Sequence, residues 1–354
     1  SLTGIGGAER VVLELHHMFS DAPIYTSQYD PTKIDWFKEA DVRTLWLQKL
    51  PKTFKKFLPL LRLRAFSKLD LSEYDLVISS SGAEAKGIKT GPKTTHICYM
   101  HAPTHYYWSR YNDYLSNPGF PKGFNWIARL ALKILVGPLR NWDYKAAQKP
   151  DYLIANSTHT HNKIKEYYDR DSVVIHPPVD IERFAGLADK PRSGFVVAGR
   201  QTPYKRIDLA VAACTKLNFP LTVMGNGPDH KKLRSMAGPS VTFVTSATDE
   251  QIAEYFAGSE AFIFPNVDDF GITPVEAMAA GTPVIAYKGG GALDYVNDEV
   301  GVFFSEQTVD SLCRALESFN PRKYNPDDIK SHAGKFDKKI FVENLQTELD
   351  RVIK

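Results

Sequence analysis

The chain has little cysteine, little net charge and no long apolar run, and each shortage closes off a class of function. Its 354 residues include only three cysteines, Cys98, Cys214 and Cys313. They lie far apart within apolar segments, so neither a metal-ligand spacing nor a disulfide framework can be built from them. A reducing, cytoplasmic setting is the expectation. The formal net charge of +3 is too small for an electrostatic nucleic-acid footprint, and no basic-aromatic reader motif is present, so no nucleic acid is expected as a partner. The most apolar stretch, Ile127 to Leu139, is broken by Arg129, Lys133 and Gly137-Pro138 and does not read as a membrane span. Solenoid-length repeats and low-complexity tracts are absent. No signal peptide is visible, an absence of little weight in a sequence that opens on Ser1 rather than methionine.

What remains is ordinary globular composition, 43% hydrophobic and 24% charged, over a length that suits two α/β domains. The second half reads most clearly. Short β-branched or aromatic runs (Phe195 to Ala198, Leu221 to Met224, Val241 to Val244, Ala261 to Phe264, Pro283 to Ala286, Gly301 to Phe304) alternate with amphipathic segments. Those segments are Ile207 to Leu217, His230 to Ala237, Asp249 to Ala257, Pro274 to Ala280 and Val309 to Phe319. That alternation predicts a parallel sheet covered by helices on both faces, with ligands at the carboxyl ends of the strands. In the first half Asp75 to Ile78, His96 to Tyr99, Tyr152 to Ala155 and Ser172 to Ile175 read as buried strands.

Pro177-Pro178 can continue neither strand nor helix, which places a domain boundary there. The expected division is 1–176, 177–335 and a C-terminal helix, 336–354, packing back on the first domain. Gly4-Ile5-Gly6-Gly7 before Ala8 to Leu15 reads as a glycine turn opening a helix. Such a turn follows a central strand, and none precedes it here. A central strand cannot be dropped without exposing its neighbours' backbone groups, so the sequence is expected to start about ten residues late.

Several loops in the second half converge on one kind of ligand. Gly199-Arg200 ends a strand and Lys205 follows, placing two cations where a diphosphate could sit. The plainer reading is a pair of solvated surface charges. Gly225-Asn226-Gly227-Pro228 allows close backbone approach to a ligand, as it would in any tight turn. Gly289-Gly290-Gly291 opens the segment Ala292 to Tyr295, and amides freed there would attract an anion. The richest stretch is Asp268 to Met278. Within it Thr273, Pro274 and Glu276 look like a cap, a first-turn proline and a third-position glutamate, which would make Glu276 part of a capping box. Two acidic groups after a strand would equally hold sugar hydroxyls.

The stretch Asp268 to Ala286 resembles the signature of the retaining family-four glycosyltransferases of the GT-B fold. The resemblance extends to Gly199-Arg200 with Lys205, Ala155-Asn156-Ser157, Pro177-Pro178-Val179-Asp180 and Gly6-Gly7-Ala8-Glu9-Arg10. It covers essentially the whole chain in the expected order. It implies an α/β architecture of two Rossmann-like doubly wound domains facing a cleft, and transfer of a sugar with retention and without a metal or other cofactor.

By position, the resemblance assigns Arg200 and Lys205 to the donor diphosphate and Glu276 to the ribose. Asp268 falls where a glutamate usually contacts the donor sugar, one methylene short of the usual reach. His101, in Tyr99-Met100-His101-Ala102-Pro103, matches a histidine at that sugar, and Gly6-Gly7 the turn near the leaving phosphate. Gly225, Gly227, Phe270, Gly271, Ile272 and Gly290 complete the expected donor site. His105 is a second departure, since a larger cation is usual near that position. The wording of these motifs is most similar to GDP-mannose-dependent mannosyltransferases of bacterial surface-polysaccharide assembly. The expected partners are then a nucleotide-sugar donor and a glycan or polyprenyl-linked acceptor. An anionic membrane surface joins them, because Arg43 to Lys68 carries eight cations (Arg43, Lys49, Lys52, Lys55, Lys56, Arg62, Arg64, Lys68) among apolar residues and no acid. A sugar-nucleotide epimerase and a non-catalytic binding protein of the same fold are the competing classes.

Overall fold

Short apolar runs become parallel strands, and the amphipathic segments between them become the helices that cover those strands. The computed structural model describes residues 1–50, 58–116, 125–187 and 191–353. They fold as two units, Ser1–His176 with Val342–Lys354, and Pro177–Phe341. The basic-apolar segment Arg43 to Lys68 is only partly covered. Lys52, Phe54, Lys55, Lys56 and Phe57 lie outside the described residues, while Leu47 and Phe66 are buried core residues.

The first unit runs α1 (Gly7–Met18), β1 (Ile24–Thr26), β2 (Val42–Thr44), α2 (Leu58–Lys68), β3 (Leu76–Ser81), β4 (Thr95–Met100), α3 (Tyr111–Ser116), α4 (Asn125–Ala147), β5 (Tyr152–Ala155), α5 (Thr158–Tyr168) and β6 (Val173–Val174). β1 and β2 form a parallel pair, and β3-β4-β5-β6 a four-stranded parallel sheet. Gly137-Pro138 does not end α4, which is continuous through Pro138. Proline blocks the carbonyl four residues back, but Ile134 and Pro138 both face solvent, where water can satisfy that carbonyl.

The interior of this unit is organised around a polar hub. The buried Asp143 carboxylate accepts from Lys86 Nζ (2.7 Å), Thr104 Oγ1 (2.7 Å), Trp108 Nε1 (2.8 Å) and Tyr168 OH (2.6 Å). Four donors on one buried carboxylate offset its loss of hydration. Burial, and then the carboxylate itself, hold the Tyr168 hydroxyl well above the usual tyrosine range.

The second unit runs β7 (Phe195–Ala198), α6 (Ile207–Leu217), β8 (Leu221–Met224), α7 (His230–Met236), β9 (Val241–Val244), α8 (Asp249–Ala257), β10 (Ala261–Phe264), α9 (Ile272–Ala279), β11 (Val284–Tyr287), β12 (Gly301–Phe304), α10 (Val309–Ser318) and α11 (Pro326–Ala333). A last helix, α12 (Lys338–Val352), begins here and ends among residues of the first unit. The six strands are all parallel in the order β12-β11-β10-β7-β8-β9. Alternation divides the core: Val196, Phe262 and Val284 pack with α8, α9 and α11, while Val197, Ile263 and Ile285 pack with α6 and α10. The chain winds outward from β7 in one direction and from β10 in the other. The switch point is therefore the β7–β10 pair, the place where such sheets leave a crevice at their carboxyl ends. Among the described residues no helix is long and apolar enough to cross a membrane.

Candidate functional site

Two loops leave the switch point. After β7 come Gly199-Arg200-Gln201-Thr202 and a single 3-10 turn, Pro203–Lys205. After β10 comes the acidic loop, Pro265 to Gly271, which enters α9. The loops meet through charge: the Lys205 ammonium donates a hydrogen bond to Asp268 Oδ2, with both side chains largely shielded. Arg200, by contrast, is exposed.

The glycine loops support this meeting by close backbone packing. A Cβ on Gly225, at φ +104°, would come within 2.4 Å of the Gly199 carbonyl oxygen, and one on Gly227 within 2.4 Å of that of Gln201. The turns after β7 and β8 can therefore lie backbone against backbone only as glycine. Gln201, fully buried, locks them: its amide nitrogen donates to Gly225 O (2.7 Å), and its Oε1 pairs with His230 Nδ1 (2.7 Å). A Cβ on Gly290, at φ +68°, would lie 2.5 Å from Asp268 O.

Two sequence expectations need correction here. The segment after Gly289 is a five-residue 3-10 turn, Gly290–Asp294, and its Gly291 amide is not freed for an anion but donates to Asp268 O (2.9 Å). Its role in the structure is to brace the acidic loop. Likewise α9 starts at Ile272 with Gly271 as its cap residue, at φ +90° and with no side-chain cap bond. Thr273 is inside the helix, so Glu276 does not belong to a capping box. The physical reason is steric: a side chain on Gly271 would meet the Phe264 ring at 2.7 Å and the Tyr295 hydroxyl at 2.9 Å. Phe270 is 3% exposed and packs on Tyr295 and Phe336, so its side chain belongs to the core.

Glu276 lies on α9, 8% exposed, with the Arg183 guanidinium 3.4 Å away. Arg183 also holds Asp249 at 2.9 Å. Asn266, just beyond β10, is 2% exposed, and its amide nitrogen has no hydrogen-bond partner among the described residues. Sequence reading passed over Gln201, Arg183 and Asn266. The partners of Gln201 and Arg183 lie up to 93 positions away, and for such pairs local pattern holds no signal.

In the first unit, His101 follows β4. Its amide donates to Ser81 O (2.9 Å), and its Nε2 pairs with Ser80 Oγ (2.8 Å). The loop beyond it is pinned to the polar hub through Thr104 and Trp108. Gly7 opens α1 and Gly6 is its extended cap residue, so the glycine turn does lead into a helix. His105 bonds Ser109 Oγ through Nδ1 (2.9 Å).

Two parallel-sheet units, one with a charged pair and a buried carboxylate at its switch point, define the GT-B class of glycosyltransferase folds. Solved structures agree. The fold is similar to that of sucrose-phosphate synthase from Thermosynechococcus elongatus (TM-score 0.70, 17% identity, 96% of this chain and 92% of that one). It is also similar to Anabaena HepE in complex with UDP (TM-score 0.69, 18% identity, 99% and 98%). Residues 5–183 match Glycosyltransferase Family 4 and residues 178–334 match Glycosyl transferases group 1. The chain belongs to glycosyltransferase family 4. Among curated relatives, D-inositol 3-phosphate glycosyltransferase of Mycobacterium marinum is 28% identical over 207 residues, 51% of this chain and 44% of its own length. That of Streptomyces avermitilis is 29% identical over 176 residues, 40% and 38%. The matched regions thus span less than half of these relatives.

Proposed function

We propose that the protein is a retaining hexosyltransferase that moves a sugar, mannose from GDP-mannose in the first instance, from a nucleotide-sugar to a glycan or polyprenyl-linked acceptor. It is proposed to need no metal and to work on the cytoplasmic side of a membrane. The observation that carries this reading is the Lys205–Asp268 pair at the β7–β10 switch point. Breaking a glycosyl–phosphate bond builds negative charge on the leaving diphosphate, and a fixed cation at that point stabilises it. Lys205 and Arg200, on the same loop, are assigned to the diphosphate; Asp268 supplies an acceptor for sugar hydroxyls. Glu276, which lies beside Arg183, is assigned to the ribose, and His101 to the donor sugar.

A UDP-sugar donor is the second reading. It is favoured by HepE complexes with UDP and UDP-glucose and by the lipopolysaccharide outer-core galactosyltransferase WaaB, which share this fold. Release of nucleoside diphosphate from GDP-mannose, UDP-glucose and UDP-galactose, with and without lipid-linked acceptors, tests both. Acceptor-dependent release from one donor supports transfer and names the base. Isomerised sugar without acceptor would make the protein an epimerase. Tight nucleotide binding with no turnover of any donor would make it a binding protein.

A further inference from the structure

Helix α4 carries apolar side chains on the wrong side. Trp126, Ile127, Leu130, Ile134 and Leu135 are 64%, 46%, 51%, 65% and 39% exposed. At about 100° per residue these five and Ala131 fill one continuous half of the helix circumference. The opposite side, Ala128, Leu132, Val136 and Leu139, is only partly exposed. Among the described residues of the second unit the exposed large hydrophobics are two residues far apart in sequence, Tyr255 and Leu293. Scattered single residues need no explanation, whereas a contiguous half-helix does.

Charge says what covers it. Arg129 and Lys133 are exposed and lie along one edge of the apolar half. No Asp or Glu occurs from Asn125 to Trp142. The same chemistry continues on α2, which packs with α4 against the turn Glu84–Gly87. Its Arg64 and Lys68 are exposed, as is Leu60 at 42%, and it has no acid of its own. Apolar bodies, an indole at the helix start and a rim of one sign of charge are what an anionic lipid surface recognises.

We infer that the exposed face of α4 is a docking surface for an anionic bilayer, with the helix lying in the plane of the headgroups. This deepens the membrane part of the proposed function and depends on no step of sugar transfer, because binding is measured without donor.

The test is cosedimentation of the full chain with vesicles of phosphatidylglycerol mixed with phosphatidylcholine, and of phosphatidylcholine alone. The parent should bind the anionic vesicles and lose them as salt rises. Leu130→Glu and Ile134→Glu should each weaken binding about tenfold, the scale of withdrawing a half-buried large apolar side chain. Lys133→Glu should weaken it by about fivefold or more. Tyr255→Glu in the second unit should change nothing. These positions are solvent-exposed, and unchanged circular dichroism and melting confirm that the variants fold. Equal binding to neutral and anionic vesicles overturns the role of charge. Parent-like binding by Leu130→Glu and Ile134→Glu overturns the assignment to α4. Absence of vesicle binding, with a concentration-dependent dimer that Ile134→Glu abolishes, makes the face a self-association surface instead.

Discussion

The two units share a parallel-sheet plan but spend their polar and apolar groups in opposite ways. In the second, apolar side chains fill both faces of a six-stranded sheet, and polar groups with work to do gather at the strands' carboxyl ends. In the first, smaller apolar clusters surround a buried charge hub, and a run of apolar side chains lies outside on α4. A unit with a thick core is a stiff platform on which one ion pair can be set for chemistry. A unit with thinner clusters depends on a polar hub for its interior and leaves apolar surface for something outside the chain.

That contrast is broken most directly at Asp143. Asp143→Ala leaves the Lys86 ammonium buried beside three other orphaned donors and should cost about 3–5 kcal/mol of the first unit's stability. Tryptophan emission reports the first unit, because all five tryptophans lie there, and on heating it should show an early transition, while calorimetry should show the second unit's transition unshifted. A parent-like melt would mean that the hub is dispensable.

Lys205→Ala is the counterpart in the second unit, where the expected loss is catalytic. Turnover should fall about 10²–10³-fold, the usual scale for one oriented charge stabiliser. Melting should change little, because a partly shielded loop ion pair is worth at most about 1 kcal/mol. Activity within a few fold of the parent would reduce Lys205 to a surface charge. Were both variants simply unfolded, the distinction between platform and hub would disappear.

Much of this division was legible in advance for the second unit and little of it for the first. Phe195–Ala198, Leu221–Met224, Val241–Val244, Ala261–Phe264 and Gly301–Phe304 stand at their expected spans, because each is an uninterrupted β-branched or aromatic run closed by turn residues. The start of α9 is not legible locally, because Thr273-Pro274 imitates a helix opening, whereas the tight space under Phe264 and Tyr295 fixes Gly271 there. The three-residue strands β1 and β2 are too short to carry a period. The hub joins five residues from four segments, and sheet order alone brings Lys205 to a carboxylate 63 positions away. None of these long-range meetings leaves a local trace.

Acid should separate the units as well. His96, inside β4 with its Nε2 on Ser79 Oγ (2.9 Å), is held neutral by burial, which pulls its pKa down to about 4. In the unfolded chain the same imidazole titrates near the usual value of about 6.5, so the unfolded state binds more protons between those limits. Its contribution is therefore fully present above about pH 6.5 and is lost as pH falls toward 4, to an extent of about 2–3 kcal/mol. The first unit's melting temperature should fall across that window, and His96→Gln should flatten the slope. A slope unchanged by His96→Gln would shift the acid sensitivity to other groups.

The smallest expected effect sharpens the site most. Asp268 accepts the Lys205 ammonium, so a diphosphate must share or displace that contact when it binds. Asp268→Asn keeps the shape and removes the competing charge. Affinity for the free nucleoside diphosphate should then stay level or tighten by no more than about fivefold, the worth of one partly exposed pair. Transfer from the intact donor should still drop, because the acceptor for the sugar hydroxyls is weakened. Glu276→Gln should do the reverse, weakening nucleoside diphosphate about tenfold through loss of a charge-assisted hydrogen bond to ribose. Asp268→Glu, restoring the longer reach usual in the family, should retain transfer and broaden or change donor choice. Calorimetry with the nucleoside diphosphate beside turnover of the intact donor reads all three variants. If Asp268→Asn weakened nucleoside diphosphate as Glu276→Gln does, the carboxylate would be orienting Lys205 for the phosphates rather than holding sugar. If it transferred sugar at the parent rate, the sugar-contacting acid would be sought next at Asp269.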